Sequence, residues 1–282
     1  MPKRKGNSPQ SSRKRRRSTT GLAVNWTKMG EVVRVLKLVK NFCTEIILYC
    51  SPDGMFIENM DVAHVALIKV LFNHDTDEID YSCDKNYALG LNIATVVDAL
   101  DGYAPSSNLN FVYDPEKNPD RIFLRIHEDL NSKDYDTFEL TLLNLEEDQR
   151  VISTEITTII TVPLNKWELT IKKIQRLSDG AASILIERRR QDPGMVRVSV
   201  SISGTEGSYR SKKTFKCQED GDGAYPIDIV VSAKYLAQAT SVRFGDEIEI
   251  LLTAERDHPV AVRQTCDAAQ VTIWIALKIK DD

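Results

Sequence analysis

The chain alternates between two hydrophobic periods, and it runs through the alternation twice. Apolar residues at helical spacing predict a helix near Thr27–Phe42, followed by strands in TEIILYC, GMFIEN and VALIKVLF. A second helical pattern, NIATVVDALDGYA, leads into strands LNFVY, RIFLRI and TFELTLL. The order then returns: a helix near Leu164–Leu177, strands AASILIERR and MVRVSVSI, a helix in SAKYLAQATSV, and strands EIEILLTAE, PVAVRQT and QVTIWIALKI. Helix, hairpins, helix, hairpins, recurring after roughly 135–140 residues, predicts a duplicated α+β domain with helices packed on antiparallel sheets. Between the copies, Leu142–Pro163 carries four acids with little periodicity before a β-branched run, which reads as a crossover linker. The expected plan is a tail over 1–21, a first domain over 22–141, a linker over 142–157 and a second domain over 158–282.

The same periodicity sorts the charges. At about 100° per residue, Arg34, Lys37 and Lys40 share one third of the first helix's circumference, opposite Val32, Val35, Leu36, Leu38, Val39 and Phe42. In the matching helix Trp167, Ile171, Ile174 and Leu177 cluster on one side, and Lys166, Lys172, Lys173 and Arg176 spread over the other. The second helices agree less well, with Asp98 and Asp101 in one copy and Lys234 in the other. Net charge changes the meaning of these cations. Of the 37 Lys and Arg, eight lie in the first 20 residues with no acid among them, so the rest of the chain sets 29 cations against 41 acids, a net −12. On an acidic body, cations gathered on corresponding helices mark one surface suited to phosphate contact without base reading. Without interleaved aromatics, that surface is poorly suited to stacking single strands.

The totals narrow the class. A 42% apolar and 28% charged composition over 282 residues is that of a globular protein. No apolar run approaches the roughly 18–20 residues of a membrane span, and no apolar leader opens the chain, so an intracellular protein with no membrane partner is expected. Five scattered cysteines, Cys43, Cys50, Cys83, Cys217 and Cys266, are expected to be buried free thiols. Phosphate-loop and dinucleotide motifs are missing. QEDGDGAYP (Gln218–Pro226) lacks the acid spacing of a calcium loop and reads as a surface turn. Lys3, Arg4, Lys5 and Arg13, Lys14, Arg15, Arg16, Arg17 form two basic clusters, a bipartite-like nuclear import signal or a polyanion-binding arm. That points to the nucleus or the replication compartment of a virus. One motif resists this reading: Met60-Asp61-x-x-His64-Val65, at the mouth of a strand. A catalytic dyad, a metal site and a bound loop all compete for it. With no obvious nucleophile beside Asp61 and His64, no enzyme activity, metal or cofactor is expected.

NMDVAHVALIKV (Asn59–Val70), YSCDKNYALGLNIATV (Tyr81–Val96), AKYLAQAT (Ala233–Thr240) and ALKIKDD (Ala276–Asp282), in that order and over a duplicated body, resemble the DNA sliding clamp, the proliferating cell nuclear antigen family. The resemblance runs from about Leu22 to Asp282. It implies a two-domain subunit, closed head to tail into a homotrimer whose helices line a central hole around duplex DNA. Arg34, Lys37, Lys40, Lys172, Lys173, Arg176 and Lys234 become sequence-blind phosphate contacts. It further implies subunit joining through Tyr135–Leu142, with Tyr135, Thr137 and Glu139, and through about Ser208–Phe215, with Tyr209, Arg210, Lys212 and Lys213. Met60, His64, Val65, Ile152, Pro259, Trp274, Ala276, Leu277, Lys278 and Ile279 become a pocket for short peptides of DNA polymerase, ligase or nuclease, and a clamp loader is implied. The chain departs from the family at Arg150 and Ser153 in the linker, at Trp274 and Leu277 near the tail, and in the arginines of Glu187–Gly194. The resemblance leaves open a subunit of a heterotrimeric checkpoint clamp or a monomeric viral processivity factor. A nuclear peptide-binding adaptor that never encircles DNA is the reading from another class.

Overall fold

The computed structural model describes residues 20–74, 76–128, 134–146, 155–177, 180–189, 191–192, 194–205, 207–219, 225–253 and 258–278. The basic clusters, Arg150, Ile152, Ser153, Ile279 and residues 220–224 of the surface turn lie outside them. The first half runs β1 (Leu22–Trp26), α1 (Gly30–Lys40), β2 (Glu45–Ser51), β3 (Gly54–Met60), β4 (Ala66–Phe72), β5 (Ile79–Cys83), β6 (Tyr87–Asn92), α2 (Ile93–Leu100), β7 (Asn108–Tyr113), β8 (Arg121–His127) and β9 (Asp136–Thr141). The second runs β10 (Ile156–Pro163), α3 (Leu164–Gln175), β11 (Ala181–Arg188), β12 (Met195–Gly204), β13 (Gly207–Glu219), β14 (Ile227–Ser232), α4 (Ala233–Ala239), β15 (Glu247–Thr253), β16 (Val260–Thr265) and β17 (Ala269–Ile275).

All strand pairs are antiparallel. One sheet is ordered β5-β1-β7-β8-β9 and the other β14-β11-β12-β13-β10-β15-β16-β17-β4-β3-β2-β6. The halves meet where β17 pairs β4 over seven residues, Ala269–Phe72 to Ile275–Ala66. Alternate side chains explain the layering: Ile46, Leu48, Ile57, Ile68, Val70, Val271 and Ile273 turn to one face and are buried. Val32, Val35 and Val39 of α1 and Trp167, Ile171 and Ile174 of α3 close over that face. The helices form one layer: α1 packs on α2 and α3 on α4, while the Asn41 amide donates to Ser241 Oγ at 2.9 Å, tying the ends of α1 and α4.

Three expectations need correction. The first helix begins at Gly30 rather than Thr27, because Thr27 N–H extends the sheet edge to Glu78 O and Gly30 approaches Pro105 so closely that a Cβ would sit 2.7 Å away. Strands β1, β5, β6, β13 and β14 are additional to the predicted periodic pattern, being short or strung between polar residues, and of these only β13 is reached through the resemblance. Cys43 and Cys50 are buried as expected, but Cys83, Cys217 and Cys266 are only partly so. Burial pushes the Cys43 thiol up to about 12 and the Cys266 thiol to about 11, which leaves both inert at neutral pH.

The duplication extends to the ends of each half. Leu143, just past β9, bridges Gly90 of β6, and Leu277, just past β17, bridges Val231 of β14. Gly90 is required there, since a Cβ would lie 2.2 Å from Leu143 O.

Candidate functional site

The Met-Asp-x-x-His-Val motif is a built turn, and its carboxylate is the fastener. Asp61, 6% exposed, accepts N–H bonds from Ala63 at 3.2 Å and from Val65 and Ala66 at 2.7 Å, and also accepts the Tyr235 hydroxyl of α4. Burial would raise its pKa, but the Ala66, Tyr235, Val65 and Ala63 donors together outweigh burial and hold the carboxyl below its ordinary value. Burial, and then the Asp61 bond, push the Tyr235 phenol up to about 12. The turn leaves His64 exposed at φ 55° and Val62 88% exposed. With four donors on its two oxygens, Asp61 acts as a scaffold for the turn. Among the described residues, no three His, Cys, Asp or Glu gather into a metal-binding group.

Beside this turn, on the sheet face away from the helices, a row of apolar side chains crosses six strands. Met60 faces Leu67, Leu67 faces Trp274, Trp274 faces Ala261, Ala261 faces Leu251, and Leu251 faces Ile159. Leu67, Leu251, Ala261 and Trp274 form a buried cluster separate from the main core, with Met60, Ile156 and Ile159 packed on it. A groove of about 360 Å³ leads off the Met60–Leu67 end, past His64, Ile47, Tyr49 and Leu145, with Glu45 and Glu146 on its rim. Ala276 N–H bonds to Val65 O at 2.8 Å and Lys278 N–H to Val230 O at 2.7 Å, fixing the tail at the other side of the turn. Pro259 stands just before β16, half-buried. The structure therefore brings Met60, His64, Val65, Trp274, Ala276 and Lys278 to one face. Leu277 departs: paired with Val231, it points to the helix side and packs on the main core. Sequence reasoning missed Leu67, Leu251, Ala261, Ile156 and Ile159. The available signal was that VALIKVLF and EIEILLT are apolar on both faces, which a one-sided sheet does not need.

The helix layer carries the expected cations, with unequal surroundings. Lys37 Nζ lies 3.0 Å from Asp101, Lys40 2.7 Å from Asp98, and Arg34 3.6 Å from Glu31. In the second half Glu168 is held by the Arg243 guanidinium, leaving Lys172 at 3.8 Å from it. The Arg243 hydrogen bond is the main cause that keeps the Glu168 carboxyl below its ordinary value. Lys173 lies over the Tyr209 ring at 5.4 Å and Lys234 over Tyr235 at 5.9 Å. Arg176 is the exposed C-cap of α3.

Among the described residues β9 and part of β13 are open strand edges, as is β5 at the far end of the five-stranded sheet. β9 pairs only β8, and Leu142 N–H bonds to Asp120 O. By ladder alternation, Asp136, Phe138 and Leu140 direct their backbone groups to β8, while Thr137 and Glu139 direct theirs outward. β13 pairs β12 along Gly207–Lys216, but β10 covers its other side only from Lys216 to Glu219. Cys217 N–H bonds to Gly194 O, so Ser208, Arg210 and Lys212 turn their backbone groups to the open side. Tyr135, 54% exposed, lies against His127 and Arg125. Glu139 pairs Arg121, Lys212 lies 3.9 Å from Glu187, and Lys213 donates to Lys166 O and Thr170 Oγ1 of α3. Lys213 thus braces its own helix rather than facing outward.

Residues 25–150 match the family model described as proliferating cell nuclear antigen, N-terminal domain. The proliferating cell nuclear antigens of Chaetomium thermophilum and Caenorhabditis elegans are each 22% identical to the chain, over 88% and 90% of it and 95% of their own lengths. The crystal structure of that protein from Entamoeba histolytica overlays with a TM-score of 0.76 at 19% identity, covering 93% of this chain and all of the other. The chain is similar to the proliferating cell nuclear antigen family along most of its length. It has the duplicated clamp fold, and the similarity supports a sliding clamp that serves DNA replication. Among the described residues, no helix is long and apolar enough to cross a membrane.

Proposed function

We propose that three copies close into a ring around duplex DNA and tether DNA polymerase and other replication or repair proteins through the outer strip. The observation that carries this reading is the match between the open edges and the intrachain joint. Laid ladder over ladder, the halves put Thr137 in the position of Thr272 and Arg210 in that of Lys69, which face each other across β17 and β4. The same register sets Tyr135 opposite Lys212 and Glu139 opposite Ser208, pairing on each strand the residues whose backbone groups point outward. A joint that repeats the intrachain one, head to tail, closes into a ring and covers the open edges of β9 and β13.

The helix layer then faces the bore, and Lys172, Lys173, Arg176 and Lys234 supply many weak phosphate contacts. Partner peptides enter beside Trp274, with Met60, Leu67 and the groove taking apolar side chains. Tethering raises effective concentration without any catalysis by the clamp itself. Loading by a clamp loader, nuclear import through the basic clusters and action in the nucleus belong to the same reading. Sedimentation of the purified chain at micromolar concentration is expected to give three times its own mass. That result would exclude a heterotrimeric or monomeric factor, and a lone monomer would overturn the ring. Trp274→Ala is expected to weaken peptide binding at least tenfold, read by titrating a labelled polymerase tail peptide, since it removes the centre of the strip. Unchanged binding would refute the pocket.

A further inference from the structure

The two halves do not offer DNA the same surface. Over α1, α2 and the Asp101 C-cap, three cations (Arg34, Lys37, Lys40) meet three carboxylates (Glu31, Asp98, Asp101), each cation within 3.6 Å of one. Over α3, its Arg176 C-cap and α4, five cations (Lys166, Lys172, Lys173, Arg176, Lys234) stand against Glu168 alone, and Arg243 from the following turn holds that carboxylate with bonds of 2.5 and 2.7 Å. Among the described residues neither Lys173 nor Lys234 meets a carboxylate, and each lies over a tyrosine ring that takes up none of its charge.

The partners on α2 are solvent-facing, Asp101 at 70% and Asp98 at 71% exposure, so they add little to fold stability. Their effect is on charge. A phosphate arriving at Lys37 or Lys40 must displace a carboxylate already bonded there, and it meets two further negative charges within the same patch. We infer that Asp98 and Asp101 silence the first half electrically, so that the grip on the duplex comes from the second-half helices α3 and α4 alone, and that these two aspartates set how loosely the clamp holds DNA. A ring built this way presents three cationic sectors separated by three neutral ones. Weak and intermittent attraction suits a body that must slide. The inference rests on the reading that DNA threads the helix-lined bore.

The test compares three paired variants of the full chain with the parent, measuring binding to a linear duplex across a salt series. The tail contributes equally to all four proteins. Lys172→Ala with Lys173→Ala is expected to weaken binding about tenfold and to lower the slope of log affinity against log salt by about 2, two phosphates at ~0.9 each. Lys37→Ala with Lys40→Ala is expected to change affinity by about twofold or less. Asp98→Asn with Asp101→Asn is expected to strengthen binding severalfold and to steepen the slope, because the freed Lys37 and Lys40 now release counterions. Equal losses from both lysine pairs, or no gain from the aspartate pair, would overturn the inference and leave DNA threading intact. If neither lysine pair altered binding, DNA threading would fall and the inference with it.

Discussion

Asp61→Ala is expected to cost about 3–5 kcal/mol of stability and to abolish measurable peptide binding. The variant strands three backbone N–H groups and a tyrosine hydroxyl that now share one buried carboxylate. Hydrogen bonds to a charged acceptor each contribute about 1.5–3 kcal/mol net, and the orphaned donors add a desolvation cost. Without the carboxylate the turn keeps its backbone bonds, His64 N–H to Asp61 O and Asp61 N–H to Ala66 O, but loses the acceptor that positions Val65, whose carbonyl receives Ala276 N–H. The strip's rim is then lost although no residue of the strip has changed. Asp61→Asn, which keeps the shape and one acceptor oxygen, is expected to lose roughly half as much. The pH dependence has a definite sign. Asp61 titrates below its unfolded value, so its contribution is complete above about pH 4 and disappears as pH falls through the lower folded value. Tyr235 titrates above its unfolded value, so its contribution is complete below about pH 10 and is lost as pH rises through about 12. The gap between parent and Asp61→Ala, followed by urea denaturation, is therefore flat through neutrality and narrows at both extremes. A variant melting like the parent at pH 7 would show that the turn holds itself.

Much of this is legible in the sequence, and the boundary of legibility has a physical basis. Helix faces and long strands announce themselves because a packed face demands a period: Val32, Val35 and Val39 recur on one side of α1, and Val70 and Phe72 alternate with Leu71 along β4. β1 and β5 are five residues each, too short for alternation to rise above the composition around them. The apolar strip was hidden for a different reason. Its members come from six strands, one residue apiece, and only register places them in a row. Trp274 and Met60 were reached through family resemblance, whereas Leu67 and Leu251 looked like ordinary strand residues. Leu277 marks the reverse error: its place in the tail motif was readable, but which way it points is set by the bridge to Val231. Similarly, the cations of α1 were visible on a helical wheel, but their pairing with Asp98 and Asp101 depends on how two helices pack, which no single-helix projection contains.

Thr137→Pro is expected to convert the trimer to monomer while leaving the chain folded. Proline removes one N–H, and in β9 the alternation set by Leu142–Asp120 directs the Thr137 N–H away from β8, so the internal ladder keeps every bond. The same group is the one that the proposed register sets against Arg210, and the pyrrolidine ring would stand in the way of the incoming strand. The defect recurs at each of three joints, and a ring opened at any one no longer retains duplex DNA. Sedimentation at micromolar concentration is expected to fall to one third of the parent's mass, with a melting temperature within a few degrees of an isolated subunit. Glu139→Pro sits at the next outward position and is expected to behave alike, whereas Phe138→Pro breaks a bond to β8 and should destabilise the chain itself. This ordering separates the edge from the fold: two outward positions that matter only to assembly flank one inward position that matters to both. A Thr137→Pro protein still sedimenting as a trimer would mean that subunits join elsewhere, and the likeness between β9–β13 and β17–β4 would be an echo of duplication with no role in assembly.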